Sequence, residues 1–367
     1  MRIITRYLLR EFIRPFVLIL LSFDAMFLIF DLFDNVSKFI ETGFPAWSIL
    51  RYYLSLIASY SHWFAPASLM LATLFSMWML SRNSEITAMR ASGISFTELS
   101  MPFLGVALCV AALQGVNSEY IVPEAASWAA RMKEQNFDVE RIGSDPHSNF
   151  QFVSSAHRRQ WFFQSIDTAD IGTASVVTGE VAVVQEDASG SNSWKIVATK
   201  GARFVDGQWW FFAPKVQRFD DQTKGMRDDE SAPSLEVLRM ANLEETPRDI
   251  VLYTRNWENY SVADMRRLMA TTGVESASRR FDICYRFASP WVCLVITLFA
   301  VPAGLTTARQ SILKSIFTAL GAFFGFYAMT HFCNFLGQGG YMAPLLAAWL
   351  PNLVFATIGI INFRRLI

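Results

Sequence analysis

The sequence predicts a membrane protein built as an α-helical bundle of six transmembrane helices, with an inserted all-β, jelly-roll-like domain outside the membrane. Apolar runs centre on residues 18–32, 58–80, 102–112, 290–305, 316–335 and 343–361, and each with its flanks reaches the roughly 20 residues that cross a bilayer. Three runs precede a polar insert and three follow it. Among 367 residues, 52% are hydrophobic and 17% charged, which is too apolar for an ordinary soluble enzyme and too charged for a chain wholly in lipid. The charge concentrates between residues 122 and 286. A formal net charge of zero argues against nucleic acid as a partner, because phosphate backbones are met by basic surfaces.

Orientation follows from cations beside the spans, which are retained on the cytoplasmic side. Arg2, Arg6, Arg10 and Arg14 precede span one, Arg82 and Arg90 lie between spans two and three, Arg309 and Lys314 between spans four and five, and Arg364 and Arg365 follow span six. The opposite short connections hold Lys38 and Arg51. Both termini are therefore expected in the cytoplasm and the insert outside. A signal peptide is the rival reading of the basic, then apolar, start. Because the run ends in DLFDNVSKF, with no small-x-small cleavage site, a retained span is expected.

Span one carries Asp24, Asp31 and Asp34 at spacings of seven and three, within one quadrant of a helix. An ion at mid-bilayer costs about 2.5–3.5 kcal/mol, so Asp24 should face protein or a wet cavity. The acids either pair with cations such as Arg286 or Arg51 or line that cavity. After span two, SRNSEITAMRASGIS reads as helical through Ala91, with Gly93 as breaker. Glu85, Met89 and Gly93 recur every four residues, so one face would offer a carboxylate beside apolar and small residues. This is either a docking element for a cytoplasmic partner or a solvated loop.

In the insert, residues 149–220 read as short β segments, among them NFQFVSS, QWFFQSI, ASVVTGEVAVVQE, SWKIVATKGARFV and QWWFFAPKVQRF, with turns at EDASGSNS and VDGQ. Residues 220–242 are acidic and read as a loop. Ser261 and Asp264 form a capping-box-like start for a helix over about 261–272, returning the chain to span four. Cys109, Cys284, Cys293 and Cys333 all fall in or beside spans, leaving the insert without a thiol for a disulfide. In span five, Gly321 and Gly325 make a GxxxG pair, and His331 and Asn334 are expected to hydrogen-bond within the bundle.

No Walker A sequence, HExxH zinc motif or GxSxG elbow occurs, the four histidines are scattered, and the cysteines show no metal spacing. No catalytic residue, metal site or bound cofactor is expected.

The loop bearing Asn83, Ser84, Glu85, Ala88, Arg90, Ala91, Gly93 and Ser95 resembles the cytoplasmic loop of the LptF/LptG permeases of the lipopolysaccharide exporter. The resemblance continues in RYLLREF, NSEYIVPEA, YRFASPWVCLVITLFAVPAGLTTAR and WLPNLVFATIGIINFRR. It covers nearly the whole chain except the insert, which matches in placement and class. It implies a half-transporter in the inner membrane of a Gram-negative bacterium. Its organisation would be residues 1–122 as spans one to three with a coupling helix over about 81–95, residues 123–280 as a periplasmic β-jelly-roll-like domain, and residues 281–367 as spans four to six.

The partners it implies are a second LptF/LptG-type subunit in a heterodimer, an LptB-type ATPase dimer that uses ATP and Mg, periplasmic LptC/LptA-type jelly-roll proteins, and lipopolysaccharide. Glu85, Met89, Arg90, Ala91 and Gly93 match the ATPase-coupling element, with Glu85 as the acid seated in the ATPase. Phe27, Phe30, Asp31, Phe33, Asp34, Lys38, Gly321 and Gly325 fall where the family builds its lipid cavity and gate. The family places bases at the outer end of span one, whereas this chain has Lys38 beside Asp31 and Asp34; acids there repel phosphate unless a divalent cation bridges them or the substrate carries less phosphate. DLFDNVSKF leans toward the LptG-like subunit. Rival functions are a permease for another lipid or lipoprotein and a membrane-anchored binding or scaffold protein.

Overall fold

The first helix, α1 (Ile3–Glu41), sets two stripes by four-residue spacing: Leu8, Phe12 and Phe16 are buried, while Arg6, Arg10 and Arg14 are exposed. The computed structural model describes residues 3–41, 43, 45–137, 150–154, 157–164, 176–177, 179–185, 194–220, 225–228, 236–240, 242–254, 260–273, 277–305 and 312–365. Two units separate by their contacts, Met1–Met132 with Ser276–Ile367, and Lys133–Glu275.

In the helical unit α1 is followed by α2 (Ala46–Arg82), α3 (Glu85–Ala91) and α4 (Phe96–Val116). A π-helical turn, Asn117–Ile121, then leads into α5 (Val122–Phe137). The second half holds α8 (Ala277–Ala288), a 3-10 turn Ser289–Trp291, α9 (Val292–Leu305), α10 (Ile312–Gln338) and α11 (Pro344–Arg364). Five helical segments among the described residues are long and apolar enough to cross a membrane: Ile3–Glu41, Ala46–Arg82, Phe96–Ala129, Ala277–Gly304 and Pro344–Arg364. The apolar run at 316–335 is also helical, within the 27 residues of α10.

Helix α2 is the centre of this unit, packing on α1 and α9. Leu8 and Phe12 meet Leu69, Phe103, Cys293 and Val301 in one cluster, and Met70, Leu74, Ile296 and Phe326 build a second. Close approach is set by Gly304, where a Cβ would stand 2.5 Å from that of Met77, and by Gly359, 3.2 Å from Leu298 Cγ. Several hydroxyls inside the unit bond to main-chain carbonyls, as with Thr73 on Leu69 (2.6 Å) and Ser76 on Glu11 (3.0 Å), while Ser68 Oγ is buried without a hydrogen-bond partner.

The insert is a two-sheet antiparallel sandwich. Strands β1 (Phe150–Ser154), β2 (Arg159–Phe163), β4 (Val181–Gln185), β5 (Trp194–Ala198), β8 (Pro214–Asp220) and β9 (Gly225–Asp228) form one sheet in that order. The other runs β10 (Val237–Met240), β7 (Gln208–Phe212), β6 (Ala202–Val205) and β3 (Val176–Val177). Alternate residues point inward: Trp161, Phe163, Val181, Val183, Ile196 and Ala198 from the first sheet meet Trp209 and Phe211 from the second. The Trp161 and Trp209 ring centroids are 5.1 Å apart. Asp206 and Gly207, both at positive φ, close the β6–β7 hairpin at the VDGQ turn.

Two strands correct the loop expected at 220–242: β9 pairs with β8, and β10 with β7. Both are short edge strands of four residues, each paired on one side, and they lie within an acidic, turn-rich stretch whose composition hides them. Residues 221–224 and 229–235 of that stretch, the EDASGSNS turn and Arg309 lie outside the described residues. The segment ASVVTGEVAVVQE yields two strands, β3 and β4, in different sheets.

Helices α6 (Pro247–Thr254) and α7 (Val262–Thr272) follow the sheets. Thr246 and Asp249 cap α6 reciprocally, and Ser261 Oγ accepts the Asp264 amide at 3.0 Å to start α7. Glu245 is fully buried; its carboxylate accepts from Arg159 at 2.9 Å and its carbonyl from Trp209 Nε1 at 2.7 Å.

Candidate functional site

The connection between α2 and α4 is a short helix held at both ends. Asn83 and Ser84 break α2, Ser84 at φ 59°, and α3 restarts at Glu85. At the far end the Gly93 amide donates to Arg90 O, and Gly93 turns the chain at φ +89°. No Cβ would clash there, so the positive φ is what favours glycine. Ser95 caps α4 by accepting from the Glu98 amide at 3.2 Å.

Glu85 is half-buried, and both carboxylate oxygens are engaged: Tyr7 Oη of α1 donates to one at 2.8 Å and Asn83 Nδ2 to the other at 3.2 Å. Ile86 is buried and Met89 packs beside it on the cluster of Leu8, Phe12 and Leu80. Thr87, Ala88, Arg90 and Ala91 are exposed. The structure therefore divides the expected Glu85–Met89–Gly93 face. Met89 lies three residues from Ile86 and turns to the bundle, while Gly93 follows the helix end and leaves its register.

A second set of expected residues lies along α1 and α10. Phe27 is half-buried on Tyr60, ring centroids 4.4 Å apart, and on Phe64 at 5.7 Å. Phe30 and Phe33 are 65% and 76% exposed, so only these two present free rings. Asp24 is half-buried, with Oδ1 buried and unpartnered by hydrogen bonds. Asp31 acts electrostatically on Tyr52 and Tyr53 of α2, and Asp34 is exposed near half-buried Lys38. Arg51 stacks over Trp128 at 4.5 Å, and Arg286 donates to the Ser118 carbonyl.

Gly321 opens on empty space, and a Cβ on Gly325 would be 3.7 Å from Phe355 of α11. The tight glycine of α10 is instead Gly337, where a Cβ would stand 2.4 Å from Phe281. His331 stacks on Trp63, centroids 6.3 Å apart, and Asn334 Oδ1 is buried without a hydrogen-bond partner, contrary to the expected bonding.

One polar cluster was missed. Asn117 Nδ2 donates to Ala58 O and Ser61 Oγ, both at 2.9 Å, and Gln114 Nε2 donates to Ser61 O at 3.1 Å. A cavity of about 40 Å³ lies beside it, lined among others by His62, Trp63, Gln114, Ser118, Tyr285 and Tyr327. The available signal was a pair of amides, Gln114 and Asn117, three residues apart at the end of an apolar run. Among the described residues no cluster of three or more potential ligands could hold a metal ion.

Over residues 6–365 the chain matches the family model described as lipopolysaccharide export system permease LptF/LptG. It is 22% identical over 365 residues to the lipopolysaccharide export system permease protein LptF of Escherichia coli (strain K12), covering 98% of this chain and 94% of that protein. The same figures hold for the protein of that name from Shigella flexneri. An identity of 22% does not separate the two subunit types, and the LptG-like leaning of DLFDNVSKF is left unresolved by it.

Proposed function

Because this chain belongs to the LptF/LptG family of lipopolysaccharide export permeases, we propose that it is one six-span half of the transporter, with the second half a different LptF/LptG-type subunit. In this reading it sits in the inner membrane of a Gram-negative cell with both termini cytoplasmic and the β sandwich in the periplasm. A cytoplasmic LptB-type ATPase dimer supplies the energy from ATP and Mg, and this chain holds no cofactor. Lipopolysaccharide leaves the membrane between the two halves and passes to LptC/LptA-type jelly-roll proteins.

The observation that carries the coupling role is the position of Glu85. Its bond to Tyr7 ties α3 to α1, and Ile86 and Met89 root the same helix in the bundle core. Force applied to the exposed Thr87, Ala88, Arg90 and Ala91 surface therefore has a stiff path to the first span. An ATPase groove closing over this helix would desolvate Glu85, so the groove should present an Arg or Lys to it. On α1 the free rings of Phe30 and Phe33 and the acids Asp31 and Asp34, with Lys38, mark the lipid-facing gate, and the open side of Gly321 with Gly325 on α10 marks the approach of the second half.

Tagged purification from native membranes in mild detergent, with mass spectrometry of proteins and lipids, tests this reading. We expect a second six-span subunit, a soluble ATPase and a co-eluting glycolipid. Glu85→Arg should reduce ATPase recovery at least about ten-fold, since losing one partner of a buried charge pair costs about 2 kcal/mol or more. Recovery of the chain alone with bulk phospholipid would overturn the permease reading and favour the scaffold; unchanged ATPase recovery with Glu85→Arg would overturn the coupling role.

A further inference from the structure

The two helical paths that join the helical unit to the β unit are both interrupted, and the interruptions meet. On the way out the break is the π turn Asn117–Ile121; on the way back it is the 3-10 turn Ser289–Trp291. A Cβ on Gly115 would stand 3.8 Å from Pro290 Cγ, and Arg286 donates across the gap to the Ser118 carbonyl. Glu119 acts on Arg286 as the opposing charge.

The returning break is fixed by covalent structure. Pro290 has no amide hydrogen for the carbonyl four residues back, that of Arg286, and the Ser289 hydroxyl donates to it at 3.4 Å instead. Asn352 of α11 similarly donates to Ala288 O at 2.8 Å. The outgoing break has no such block. In an α-helix the Val122 amide would donate to Ser118 O; here it donates to Asn117 O, which leaves Ser118 O to Arg286. The Asn117 side chain, bonded to α2, holds the start of that turn in place. Two hydrogen-bond registers thus compete for one carbonyl, and Arg286 favours the π register.

We infer that this pair of breaks is a latch on the rotation of α5. When Arg286 leaves Ser118 O, the Val122 amide takes that carbonyl, the π turn becomes α-helical, and α5 turns by about 100° about its axis, the angle of one helical residue. The inference stands on main-chain geometry and does not depend on the permease reading.

Spin labels at Glu124→Cys and Arg280→Cys, exposed on α5 and α8, report the rotation in the purified full chain with its four native cysteines replaced by serine. The parent chain should give one dominant distance. Arg286→Gln, which removes a charge-assisted bond, should raise a second population roughly ten-fold or more. Deleting Tyr120, which is 74% exposed, takes out the extra residue of the π turn, so an α-helical turn then holds α5 in its parent orientation, and Arg286→Gln on that background should no longer raise the second distance. A distance distribution unchanged by Arg286→Gln, or a second distance that Arg286→Gln raises equally without Tyr120, would overturn the latch.

Discussion

The two units differ in how much of their apolar surface they bury. In the β sandwich, inward residues such as Phe152, Trp161, Val183, Trp209 and Phe211 are wholly removed from solvent, and the polar Arg159 and Glu245 are paired inside. In the helical unit, only 11% of the apolar window of α1 is buried within the chain, and Leu18, Phe30 and Phe33 stand outward. Hydrophobicity therefore carries different information in each. In the sandwich it locates the core, because water is the solvent. In the bundle it locates the solvent itself, and the internal contacts are marked by small residues such as Gly304 and Gly359 and by hydroxyls on main-chain carbonyls.

The strongest way to break this contrast is Trp209→Ala. It removes a fully buried ring and the bond to Glu245 O, and should cost the insert about 3–5 kcal/mol, read as a lowered urea midpoint for proteolysis of insert peptides in the full chain. The helical counterpart is smaller. Gly304→Val drives a side chain into Met77 and should cost about 1–3 kcal/mol, read as lower thermal stability in detergent with the insert midpoint unchanged. Ser261→Ala removes the cap of α7 and should lower the insert midpoint by about 1 kcal/mol. Least of all, Gly321→Ala meets open space and should shift the stability of the isolated chain by less than about 0.5 kcal/mol. A larger loss when the second half is present would place a partner helix against that glycine.

Where the sequence pattern repeats with the period of the element, it was legible. The strands in QWFF and QWWFF were legible because aromatic residues between turns suit a half-buried sheet, and the structure turns Trp161, Phe163, Trp209 and Phe211 inward at period two. Strands β9 and β10 were not legible, because their pairing depends on neighbours rather than on their own composition. The GxxxG pair pointed to Gly321, while the tight contacts sit at Gly304 and Gly337, whose role depends on which residue of another helix arrives opposite. In the loop, Glu85 was visible as a lone acid at a membrane edge, but its bond to Tyr7, 78 residues away, was not. The π turn left no compositional trace, since it is a choice of hydrogen-bond register among ordinary residues.

The length of α1 has a consequence for the bilayer around it. At about 1.5 Å per residue its 39 residues extend to about 58 Å, nearly twice the roughly 30 Å hydrocarbon layer. In a bilayer the surplus would lie in the headgroups, where the row of Arg6, Arg10 and Arg14 would act as a depth gauge. Each cation near an anionic leaflet contributes about 1 kcal/mol, so the lipid charge of that leaflet would bias how far the helix sinks.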